Sequence, residues 1–172
     1  GNLLVDNEES LNLIFRDSPV PIATHCEDTP MIKEAEESFK ARYGENIPME
    51  AHAQIRSREA CLKSSQKAVD LANKYKQDLH ILHISTADEL SLFSTKPIED
   101  KHITAEVCIP HLYFNSDDYQ TKGSLIKCNP SIKLPSDQLA LKDALKTGLI
   151  DFVATDHAPH VLAGKSNSYM EC

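Results

Sequence analysis

Short apolar runs, each followed by a few polar residues and then by a helix-like period, recur along the chain. The runs Pro19–Thr24, Leu79–Ile84, Ile103–Ile109 and Leu149–Ala154 read as strands, the last of them buried. The prolines weaken the first only where it begins. Leu125–Pro130 reads as a further extended segment. Between the runs, helical patterns carry their own start signals. Asp6 and Glu9 form a capping-box pattern ahead of Leu11, Ile14 and Phe15. Thr29-Pro30 opens a charged helix with the threonine hydroxyl as its cap, and Gly44 stops it after Tyr43. Ser57 opens a long helix whose small and apolar positions are Ala60, Leu62, Ala68, Leu71 and Ala72. Thr86 and Glu89 repeat the capping-box pattern, and Pro135-Ser136 starts a helix through Leu139, Leu141, Ala144 and Leu145 that closes at Gly148. Asn46–Ala53 reads as irregular and Asn115–Lys122 as a mobile polar loop. This alternation predicts an α/β protein with a parallel sheet, its polar residues gathered where the strands end.

Composition narrows the partners more than the fold. The 172 residues suffice for a domain with a proper core, and 41% hydrophobic against 26% charged residues is a globular balance. A net charge of −8 argues against a nucleic-acid surface and for a small-molecule partner. No apolar run approaches the roughly 20 residues that span a bilayer, and the start shows no signal-peptide pattern. The five cysteines lack CxxC spacing and are odd in number, so they read as reduced thiols of a cytoplasmic protein. Cys26, Cys108 and Cys128 are expected to be small packing residues. With five glycines and neither GxGxxG nor a P-loop, a nucleotide-binding domain is disfavoured.

The candidate chemistry is centred on Ala154-Thr155-Asp156-His157-Ala158-Pro159-His160. A carboxylate at the end of an apolar strand, beside imidazoles, can orient a metal-bound water or shuttle its proton. Taken singly, a histidine after a strand is more often structural than a ligand, and His52, His80 and His102 keep that default. His25, His83 and Asp156 differ because each stands at the end of a separate strand, where a metal site on a parallel barrel draws its ligands. Spacing alone leaves metal-dependent hydrolysis and a set of structural histidines both open.

Four stretches, taken together and in this order, resemble the dihydroorotase family of cyclic amidohydrolases. They are Thr24–Asp28, Leu82–Thr86, Lys127–Lys133 and Ala154–His160. The last is specific for cyclic amidohydrolases at large; the asparagine-proline segment favours dihydroorotase over allantoinase or dihydropyrimidinase. The resemblance implies part of a TIM-type (β/α)8 metal-dependent hydrolase barrel, strands five to eight with their helices, so that residues 1–172 are a partial barrel domain. It implies that His25 and His83 are ligands to one zinc, and that Asp156 binds the other and acts as general base and then acid. Asn129 and His160 match substrate-contacting positions, His160 near the substrate carboxylate. Lys133 stands where relatives carry arginine, which puts a two-pronged contact there in doubt. The implied reaction is the zinc-dependent, reversible hydrolysis of dihydroorotate to N-carbamoyl-aspartate in pyrimidine biosynthesis, with one or two zinc ions per complete site. Homo-oligomers and association with aspartate transcarbamoylase come with the same resemblance.

The chain also departs from the family. It has no His-x-His pair, and Gly1-Asn2 looks like the stretch just past the family's bridging lysine. An internal segment without turnover of its own is therefore expected. Two alternatives accompany this reading: an allantoinase or hydantoinase-type enzyme, and a non-catalytic scaffold related to dihydroorotase. The retained ligands speak against the scaffold.

Overall fold

The computed structural model describes residue 5 and residues 7–172 of the chain. Gly1-Asn2 and the Asp6 half of the expected capping box lie outside the described residues. The first helix, α1 (Glu8–Asp17), is capped instead by Asn7, whose side chain accepts from the Ser10 amide at 2.8 Å. Phe15 anchors it in the core, whereas Ile14, expected on the apolar face, is 40% exposed.

Four strands form one sheet in sequential order: β1 (Ile22–Thr24), β2 (Leu79–Ile81), β3 (Ile103–Cys108) and β4 (Phe152–Ala154). All neighbours are parallel, with Thr24 beside Ile81, Ile81 beside Ala105 and Cys108 beside Ala154. Between β1 and β2 lie α2 (Thr29–Tyr43), the single turn α3 (His52–Ile55) and α4 (Arg58–Tyr75). Between β3 and β4 lie two short pieces, α5 (Ile109–Tyr113) and α6 (Tyr119–Lys122), and then α7 (Pro135–Lys146).

Strand periodicity sorts the two faces of the sheet. Leu79, Ile81, Ala105 and Val107 point to the helices and join Val69, Ala72, Leu141 and Ala144 in the main core. His80, Thr104 and Glu106 point the other way. There the His80 ring bridges Thr104 Oγ1 (2.9 Å) and Glu106 Oε2 (3.2 Å), a fully partnered histidine, as its default reading expects. At the start of β4 the Lys101 ammonium meets Asp151 at 2.6 Å with both side chains buried, and Asp151 also accepts from the Ala105 amide at 2.9 Å. This pair ties the entry of β3 to that of β4.

Several expectations need correction. The β4 run is buried only at its start: Ile150 is 2% exposed and joins the main core, whereas Phe152 is 45% and Val153 51% exposed, on a strand whose one bonded neighbour among the described residues is β3. After β2 the Thr86–Glu89 capping box forms, with Thr86 N donating to Glu89 Oε2 (3.1 Å) and Glu89 N to Thr86 Oγ1 (3.3 Å). What it starts is a 3-10 turn, Asp88–Leu92, and not an α-helix. Pro97, which lacks an amide hydrogen and disfavours helix in the residue before it, limits any extension. The cap of α2 is the Asp28 carboxylate, one residue earlier than the threonine hydroxyl. Gly44 does end that helix, at φ 58°, a left-handed conformation suited to glycine. The irregular stretch from Asn46 holds a 3-10 turn, Met49–Ala51, that runs into α3.

The expected loop Asn115–Lys122 is ordered around a buried Tyr119, and Asn115 with Asp118 makes a capping box at its start. The supposedly extended Leu125–Pro130 begins as a 3-10 turn, Gly123–Ile126. In both places the polar surface pattern hid one large anchor, since Tyr119 packs with Ile126 and Ile132 in a small core of its own. All five cysteines are free; Cys26, Cys61 and Cys108 are buried. Burial pushes the Cys26 thiol up to about 11 and that of Cys108 up to about 12, which marks them as packing residues. Cys128 is half-buried and lies outside any strand.

Two buried histidines make stability depend on pH. His52 donates through Nε2 to the Cys128 carbonyl (2.8 Å) and accepts at Nδ1 from the Tyr169 hydroxyl (2.8 Å). Burial lowers its pKa from 6.5 to about 3, and that of His111 to about 4. Both folded values lie below the unfolded one, so the unfolded chain binds these protons more readily. The stability they contribute is complete above about pH 6.5 and is lost as pH falls to about 4 for His111 and about 3 for His52. Urea unfolding at pH 7 and pH 4.5 is expected to differ by roughly 2–5 kcal/mol; equal midpoints would contradict neutral, buried imidazoles.

Candidate metal centre

The site forms where β1 and β2 end side by side. His25 follows directly on β1, and the turn behind it is fixed from two directions. The Asp28 amide donates to the Ala60 carbonyl of α4 (3.0 Å), while the Asp28 carboxylate caps α2 and pairs with Lys63 at 3.0 Å. His83 stands two residues beyond β2. Ladder-like bonds continue past the strand, from Leu82 N to Thr24 O (3.1 Å) and from Ile84 N to Glu106 O (2.8 Å), and hold His83 between β1 and β3. The turn after it is gathered by Glu89, a buried carboxylate that accepts from the Ser85 and Thr86 amides and from Ser65 Oγ. Burial raises the Glu89 pKa even against these hydrogen bonds.

The two imidazoles face each other. His25 Nδ1 lies 3.0 Å from His83 Nε2, and the rings meet edge to face at 76°. Two imidazole nitrogens sharing one tetrahedral zinc at 2.0–2.1 Å would stand about 3.3 Å apart, so this pair fits two positions of such a site. His83 is buried and its Nδ1 has no hydrogen-bond partner. Burial lowers its pKa first and the charge of His25 second, whereas Asp156 acts in the opposite direction and raises it. Among the described residues no group of three or more His, Cys, Asp or Glu side chains is arranged to hold a metal ion.

Asp156 therefore lies within electrostatic reach of His83, but in the open, two residues past β4. Its backbone has φ 45° and that of His83 φ 39°; among the described residues the other positive-φ residue that is not glycine, Lys76, caps α4. Aspartate tolerates this region better than most residues, and such conformations gather at functional sites. His160 is exposed on the segment after Asp156. Asn129 is exposed too, yet the segment around it is pinned. His111 Nε2 donates to the Pro130 carbonyl (2.9 Å), His52 holds the Cys128 carbonyl, and the Tyr119 hydroxyl accepts from the Ile132 amide (3.0 Å). Lys133 is buried, its ammonium turned back onto Ser131 Oγ (2.7 Å) and the Ser131 carbonyl (3.1 Å).

Glu27 and Arg56 went unrecognised in the sequence. Glu27 Oε2 lies 2.9 Å from His25 Nε2 and accepts from Arg56 Nη1, while Oε1 is buried without a partner. Burial alone would raise the Glu27 pKa; the hydrogen bond from His25 and the charges of Arg56, His25 and Lys133 outweigh it and hold the carboxyl below its ordinary value. The available signal was an acid two residues after a candidate ligand, which is common on any surface.

Parallel strands in this order, with ligand candidates at their carboxyl ends, are what one wall of a (β/α)8 barrel supplies. The structure matches an L-hydantoinase (dihydropyrimidinase) from Arthrobacter aurescens with a TM-score of 0.86 and 24% identity, over 96% of this chain and 37% of that one. No protein-family profile matches the chain. In fold and sequence it resembles the cyclic amidohydrolases of the amidohydrolase superfamily, which are metal-dependent.

Among its curated relatives the commonest name is dihydroorotase. The dihydroorotase of Ehrlichia canis is 33% identical over 144 residues, 81% of this chain and 30% of the relative. An allantoinase of Bacillus velezensis is 31% identical over 140 residues, 80% of this chain and 30% of the relative. The chain thus spans about a third of the length of the curated relatives it matches.

Proposed function

We propose that the complete protein to which residues 1–172 contribute hydrolyses and re-forms the cyclic amide of dihydroorotate, with N-carbamoyl-aspartate as the open form, and that zinc is its metal. The observation that carries this reading is the pair of facing nitrogens, His25 Nδ1 and His83 Nε2, at 3.0 Å. A bound metal ion would lower the pKa of a water molecule and polarise the amide carbonyl. His25 and His83 would hold it through those two nitrogens. Asp156, exposed and within electrostatic reach of His83, takes the proton from the attacking water and returns it to the departing ring nitrogen, so one carboxylate serves both directions of a reversible reaction. Asn129 and His160 face the substrate; His160 supplies an imidazole donor to a carboxylate. Residues 1–172 supply strands five to eight of the barrel in this reading. By themselves they are expected to turn over nothing, since a second set of metal ligands has no counterpart among them. The five free thiols agree with work in the cytoplasm.

A second reading, an allantoinase or hydantoinase, is favoured by the fit to the hydantoinase barrel and by the allantoinase relative. A substrate panel separates the two. With dihydroorotate, allantoin and dihydrouracil offered in turn to the complete protein, dihydroorotate is expected to react fastest. Chelation should abolish the reaction and added zinc restore it. Preference for an uncharged ring would overturn the assignment of Asn129 and His160 to a carboxylate-bearing substrate.

A further inference from the structure

The carboxylate of Glu27 is the least explained group near the two imidazoles. It is buried, one of its oxygens takes two donors, and the other has none. A group serving packing alone would be better replaced by an apolar side chain, because a buried charge is costly unless it is fully paired. Its contacts suggest a more specific service. His25 has two ring nitrogens, and the proton sits on only one of them in the neutral ring. An acceptor at 2.9 Å from Nε2 places the proton there and leaves the Nδ1 lone pair free, aimed at the side where His83 Nε2 lies.

Arg56 in turn decides where the Glu27 carboxylate points. Its guanidinium donates to the same oxygen, Oε2, and its own carbonyl accepts from Ser131 Oγ at 2.9 Å. Ser131 Oγ is also held by the buried Lys133 ammonium. A continuous chain of contacts thus runs from the Asn129–Lys133 segment through Arg56 and Glu27 to His25.

We propose that Glu27 is a positioning residue that fixes the tautomer and ring orientation of His25 for metal binding, with Arg56 holding Glu27 in place. This rests on the reading of His25 as a ligand. The chemistry is general: a ligating imidazole gives its second N–H to a carboxylate, which orients the ring and raises its basicity.

Two measurements test it on the protein with its metal removed and then returned. Nitrogen-15 NMR of the metal-free protein should find the His25 proton on Nε2, and a proton on Nδ1 in the unmutated protein would overturn the proposal without any variant. Zinc affinity, read by competition with a chromophoric chelator, should fall about 10- to 100-fold in Glu27→Met. The loss should be smaller in Glu27→Gln, which keeps an acceptor oxygen. A merely structural Glu27 would shift the unfolding midpoint yet leave both the tautomer and the zinc affinity of the folded variants unchanged. That outcome sinks the proposal. Failure of the unmutated protein to bind zinc at all would instead sink the ligand assignment of His25 and His83, and this proposal with it, whichever tautomer is found.

Discussion

Turnover of the complete protein is expected to fall by about two to four orders of magnitude on Asp156→Asn, the usual contribution of a positioned acid–base group. Asparagine has nearly the same shape and tolerates a left-handed backbone as well as aspartate does, so the φ of 45° at this position survives the exchange. The residue is exposed, and no packing is lost. What disappears is a group able to take up a proton and give it back. Circular dichroism should therefore be unchanged while kcat falls. A drop of only a few-fold would move the acid–base role elsewhere, with His157 and His160 the next groups to try.

The largest stability effect is expected at the other end of the sheet. Lys101 and Asp151 are paired at 2.6 Å with side chains only 2% and 5% exposed. Asp151→Ala would leave an ammonium buried without its counter-charge and the Ala105 amide without its acceptor. Removing one partner of such a pair costs about 3–5 kcal/mol. Replacing both, as Lys101→Met with Asp151→Leu, should recover most of that loss but not all, because the Ala105 amide is still unpaired. Denaturant midpoints of the three proteins check the ordering. If the single and double variants unfold together, the pair is not what holds β3 to β4.

Where the sequence was readable, one residue type dominated the local energy. The strands before His25 and His83 and the helices opened by Ser57 and Pro135 followed from apolar runs and caps, which act over a few residues. Their parallel order followed from alternation. The exposed β4 could not be read in this way, because an apolar run records what a strand is built to touch, not whether a neighbour is present to touch it. Tyr119 was hidden for the opposite reason: one aromatic residue among polar ones can still organise a segment when its ring reaches a pocket formed by distant residues.

The site was legible in the same uneven way. His25 and His83 were marked by position at strand ends, and the structure brings them together. Glu27 and Arg56 are 29 residues apart in the chain and meet only after folding, so no local pattern announces them. Long-range polar pairs of this kind leave no period in the sequence.

The grip on the segment from Cys128 to Lys133 carries a consequence for recognition. Imidazoles from α3 and α5, a phenol from α6 and a lysine of the segment itself immobilise its backbone before any ligand arrives, yet Asn129 stands clear. Whatever docks against that amide meets a preorganised surface. Little conformational entropy is left to surrender on that side, which favours tight discrimination by shape over adaptable, promiscuous capture.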